Sequence, residues 1–172
     1  RQLIRLRDDH IEQESMYINK MQKALVQMNI RLKDVISQVH GVSGMKIVHA
    51  ILLGERDPEK LASYCHSKIL KTKRLEVIES LRGIYSQASL FELAQAVSGM
   101  EFCQEQISQC DQQIQTQLEE LIKNLPLIKT DPSKPVKAIR WHAPKIENLH
   151  QTLLTLSGNH DATMMPGITD YT

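Results

Sequence analysis

From Ile4 onward every seventh residue is aliphatic: Ile4, Ile11, Ile18, Leu25, Leu32 and Val39. A chain satisfies such a row by coiling into a helix whose apolar stripe meets another apolar surface, because seven residues come close to two helical turns. The positions three further on are Arg7, Glu14, Met21, Met28 and Val35, so the seam is polar at its start and fully apolar from Ile18. No Gly or Pro interrupts residues 1–40, and the spacing predicts one helix of about 60 Å. A seam this long has little reason to face water. It predicts self-association, as a homodimer or higher, through Ile11, Ile18, Met21, Leu25, Met28, Leu32 and Val35, with cover by a later helix of the same chain as the other outcome.

That later helix is predicted from about Ser89 to Lys123, where Leu93, Met100, Ile107, Ile114 and Leu121 again repeat every seven residues. Cys103 and Cys110 each stand four before an Ile of that row and read as core. Between the long helices, Asp57 and Pro58 open a short helix as cap and first turn, and residues 71–83 form another that ends on Gly83 as its C-cap. The expected fold class is therefore all-α, built from long coiled-coil-forming helices and short connecting ones. Composition agrees: aromatics are 4% of the chain and Leu, Ile, Gln, Lys and Glu dominate, nearly the reverse of a β-sandwich.

After Asn124 the texture changes. Pro126, Pro132, Pro135 and Pro144 exclude a continuous helix, and 126–144 reads as an extended linker between a helical region, 1–125, and a last unit, 145–172. In that unit residues 145–158 carry Ile146, Leu149, Leu153 and Leu156 on one helical face before a Gly stop. The final MMPGITDYT prepares a further helix, with Thr169 placed to cap it, and then stops, so the chain reads as cut there, with 159–172 mobile or docked on another copy.

Charge bears on partners. The formal net charge is +1, but Lys and Arg outnumber Asp and Glu 8 to 5 over 41–87 and 5 to 1 over 124–145, while 88–123 has 1 against 6. The basic residues Lys68, Lys71, Lys73 and Arg74 are candidates to hold phosphates. So are Lys137 and Arg140 beside Trp141, the only tryptophan, whose ring could stack on an unpaired base. A solvated face is the plainer reading of either stretch. Val39-His40-Gly41-Val42-Ser43-Gly44 and Met165-Pro166-Gly167-Ile168-Thr169 share a pattern of apolar residue, turn residue, Gly, aliphatic and hydroxyl. Both resemble a helix-hairpin-helix turn, whose helix N-terminus could offer backbone N–H groups to a phosphate; Gly41, Ser43, Gly44, Lys46, Gly167 and Thr169 are its candidate residues. The plain alternative is a tight helix-to-helix turn with a capping hydroxyl.

Other chemistry finds little support. The histidines are scattered, with no spacing that suits zinc, Cys65 and His66 lack companions, and no GxSxG-like elbow places a nucleophile. Asp8 and Asp9 are neighbours on a predicted helix and do not converge on one ion. Three cysteines, an odd number, argue against a disulfide framework and for a reducing cytoplasm, and no apolar run approaches the roughly 20 residues that span a bilayer.

Taken together, the elements GVSG (41–44), GERDP (54–58) and QCDQQI (109–114), with MMPGITDYT at 164–172, make almost the whole chain resemble the middle of an insertion-sequence transposase of the DEDD type, the IS-one-ten class. The resemblance implies a coiled-coil region and the opening of a C-terminal transposase domain, in a protein that recombines DNA as an oligomer guided by a structured RNA, with Mg²⁺ and a serine nucleophile. It also implies that the acidic cluster matches before Arg1 and the serine after Thr172, so this chain would hold no cofactor and no catalytic residue of its own.

Overall fold

The computed structural model describes residues 1–128, 142–165 and 168–170, and these are all-α, with no strand among them. Among the described residues seven α-helices follow in chain order: α1 (Gln2–Gln27), α2 (Leu32–Val35), α3 (Val42–Leu52), α4 (Pro58–Ser63), α5 (Ser67–Ser80), α6 (Gln87–Ile122) and α7 (Leu149–Leu156), with a 3-10 turn at Ala162–Met164. The chain divides into two compact units, Gln13–Phe102 and Arg1–Glu12 with Cys103–Thr172. This division falls inside α1 and α6 rather than in the proline-rich stretch 126–144.

The predicted single helix over 1–40 is not what forms. α1 has 26 residues and is about 39 Å long. It stops because Asn29 adopts a left-handed conformation, φ 58°. The Ile30 N–H then donates to the Leu25 carbonyl at 2.9 Å and the Asn29 N–H to Val26 at 2.8 Å, the paired reverse bonds that close a helix. Leu25 and Ile30, the positions at which an apolar pair accompanies such an end, are both buried in the same core. Gly54 (φ 100°) and Gly158 (φ 64°) end α3 and α7 in the same way. The heptad row runs on through Leu32 and Val39, but across a change of direction.

Met21, Leu25, Met28 and Leu32, assigned to a second chain by their spacing, are at most 2% exposed within this one. They share the core of the unit 13–102 with Ile47, Ile51, Leu61, Val77, Leu81, Leu93 and Met100, and Ile18 and Val35 pack against its edge. The seam's cover is the chain's own helices, and α6 contributes to it. Ile11, in the other unit, is half-buried. Replacing Leu25 and Leu32 together by Asp should therefore abolish cooperative unfolding and leave a low, unfolded helical signal in circular dichroism. A folded monomer of native helicity would contradict this packing.

α6 and α4 form where the sequence places them. Asp57 caps α4 by accepting from the Glu59 N–H, and Pro58 occupies the first turn, where a missing N–H costs nothing. α5 ends at Ser80, so Gly83 is not its C-cap. Gly83 is needed for space instead: a Cβ there would lie 2.6 Å from the Met28 carbonyl oxygen and 2.6 Å from Ile30 Cγ1. α7 begins four residues later than predicted, after Asn148 turns left-handed at φ 51°.

Candidate functional site

At GVSG the structure separates the roles of the two glycines. Gly41 is the N-cap of α3 with φ −77° and ψ 172°, ordinary extended backbone, so no left-handed glycine turn forms. Ser43 sits inside the helix and no side chain caps its start, which corrects the expectation of a capping hydroxyl. Gly44 is buried, and a Cβ on it would fall 2.0 Å from the Val39 carbonyl oxygen. Its smallness lets the incoming chain cross α3 at close range. Lys46 is exposed on the same helix.

On α5, Lys68, Lys71, Lys73 and Arg74 are all exposed. Lys68 and Lys71 stand one turn apart, whereas the backbone leaves helical geometry at Lys73 (φ −133°, ψ 25°). Lys73 faces Glu76 at 3.9 Å; no ion pair engages Lys68, Lys71 or Arg74 among the described residues. Lys137, Arg140, Trp141 and Gly167 lie outside the described residues. Thr169 is described and half-buried, but no helix follows it among the described residues.

The other two family-like elements are structural joints. In GERDP, the Glu55 carboxylate accepts from the N–H groups of Arg56 and Asp57, both at 2.9 Å, and these bonds hold its pKa below the usual carboxylate value. The Arg56 guanidinium donates to the carbonyls of Ile51 and Glu55 and lies 4.3 Å from the Tyr85 ring centre, a cation–π contact. Burial raises the Tyr85 phenol pKa, and Arg56 opposes that rise.

In QCDQQI, Asp111 accepts from Arg7 Nε at 2.6 Å and from the Lys145 N–H at 3.0 Å, while Arg7 also donates to the His142 carbonyl at 2.8 Å. Side-chain exposure is 1% for Arg7 and 3% for Asp111. Arg7 had read only as the polar start of a seam; that it pairs across 104 residues with an acid in another heptad helix carries no signal in either local sequence. Gln115 extends the joint by accepting from the Glu147 N–H. Beside them, burial and the Asp111 charge push the Cys110 thiol up, and burial does the same at Cys65, so neither is a ready nucleophile.

A histidine cluster escaped the spacing rules. His150 presents Nδ1 to Asp170 at 2.8 Å and Nε2 to Asp161 at 3.9 Å, beside a cavity of about 420 Å³ lined by Leu153, Leu154, Ile168 and Thr163. Ser157, which also lines this cavity, donates to the carbonyls of Leu154 and His160. The arrangement ties Asp170 back onto α7, so the segment expected to be loose has a partner within its own unit.

Asp8 and Asp9 are exposed, and among the described residues no three His, Cys, Asp or Glu side chains are grouped to hold a metal ion. No helix among them is long and apolar enough to cross a membrane. No family model matches the chain, and no curated protein or solved structure is significantly similar to it.

Proposed function

We propose that this chain is a non-catalytic helical part of an insertion-element DNA transposase, one that positions structured guide RNA or DNA and assembles with further copies in the cytoplasm. The reading is supported by the resemblance along the chain and, in the structure, by Lys68, Lys71 and Arg74, which stand exposed on α5 with no ion pair among the described residues. Cations held on a helix and left without carboxylates suit a phosphate backbone, where counterion release supplies the affinity. Self-assembly falls to residues other than Met21, Leu25, Met28 and Leu32, which the core uses.

The competing reading is a helical scaffold with no nucleic-acid role. It is favoured by the buried glycine of GVSG and by the joints at GERDP and QCDQQI, each of which has a packing explanation. The two part on one measurement. The purified chain should bind a structured RNA with log affinity falling linearly in log salt, and the triple variant Lys68→Gln, Lys71→Gln, Arg74→Gln should reduce that slope by about 2. An unchanged slope, or no binding in low salt, would leave the scaffold reading.

A further inference from the structure

Both phenylalanines of this aromatic-poor chain stand in the open on one helix: Phe91 is 67% exposed and Phe102 60%. They lie eleven residues apart on α6, three helical turns and about 16 Å, with Gln95 and Ser98 between them at spacings of four and three, so the four side chains form one stripe. Two exposed rings on one stripe are not the scattered apolar surface of an ordinary helix.

The stripe is one wall of a groove of about 690 Å³ within the unit 13–102; the other wall is α1, with Tyr17, Lys20 and Lys23. Gly99 fixes the walls close together, because a Cβ there would fall 2.3 Å from the Tyr17 ring. Lys20 Nζ lies 5.0 Å from the centre of that ring.

Chemistry is divided between the walls. The cations are on α1 beside the Tyr17 ring; the two phenyl rings, the Gln95 amide, the Ser98 hydroxyl and one carboxylate, Glu92, are on α6. A ligand that matches must carry anions along one edge and flat, hydrogen-bonding rings along the other. An apolar helix from a partner protein fits less well, since the stretch between the rings is polar. We propose that this groove binds single-stranded nucleic acid, its phosphates along Lys20 and Lys23 and its bases stacked on Phe91 and Phe102. Glu92 faces the base side, where a carboxylate can accept from an exocyclic amine, rather than the phosphate side, where it would repel.

These residues are separate from those of α5, so the two proposals fail separately. The probe is a fluorescein-labelled DNA oligomer of about a dozen mixed adenine, cytosine and thymine nucleotides, single-stranded or annealed to its complement, with anisotropy read across a salt series. Single strand should bind in preference to duplex. Phe91→Ala with Phe102→Ala should weaken it roughly tenfold or more while leaving the salt slope in place, and Phe91→Tyr with Phe102→Tyr should restore it. Lys20→Gln with Lys23→Gln should lower the slope by about 1, and the α5 triple variant should leave single-strand preference intact. The proposal falls if duplex binds as well as single strand, or if the alanine pair binds normally. It falls equally if the oligomer does not bind and light scattering shows a dimer that the alanine pair dissociates.

Discussion

Asp111→Ala should unfold with a stability loss of about 3–5 kcal/mol in urea titration, the largest single-residue effect expected in this chain. The carboxylate is buried against the Arg7 guanidinium at 2.6 Å, and its other oxygen holds the Lys145 N–H. Removing it takes the carboxylate from a cation that is 1% exposed and leaves the Lys145 N–H without its acceptor. The pair's net worth is a different quantity, because both charges give up water to meet. The double replacement Arg7→Met with Asp111→Leu should accordingly recover most of the loss. A double variant as unstable as the single one would mean that the pair attracts far beyond its desolvation cost.

Gly44→Ala should cost about 1–3 kcal/mol or more, whereas Gly41→Ala should cost little. At Gly44 the added carbon meets the Val39 carbonyl oxygen at 2.0 Å, and backbone atoms cannot swing aside as a side chain can. At Gly41 the nearest atom is the Gln38 carbonyl oxygen at 3.2 Å, and φ of −77° suits any residue. Thermal melts of the two variants decide the matter, and nucleic-acid binding by the folded Gly41→Ala protein separates a packing role for the motif from a phosphate-binding one. Equal melting temperatures for the two variants would refute the close crossing at Gly44.

These expectations show where the sequence was readable. α6 was placed within two residues at its start and one at its end because its heptad row is long and carries the helix through its single glycine, Gly99. α4 was placed because Asp57 and Pro58 act on their immediate neighbours. The length of α1 is not legible from Gly and Pro alone, because asparagine can take the left-handed conformation that glycine takes, as Asn29 does. The seam's partner stayed open between a second copy and the later helix, because a heptad row states that an apolar surface is covered and not by which chain. Arg7 and His150 were opaque for a simpler reason. Each acquires its meaning from residues distant in sequence, and no periodicity connects them.

The joint at residues 54–58 bears on how this chain could change over generations. Arg56 serves two carbonyls and one ring at once, through a planar group that a lysine ammonium cannot imitate. Tyr85 in turn packs against the core and donates its hydroxyl to the Leu81 carbonyl at 3.3 Å. Loss of either partner removes the cation–π contact and leaves the other its remaining bonds, so in a lineage that keeps this turn the arginine, with two carbonyls to serve, should outlast the ring.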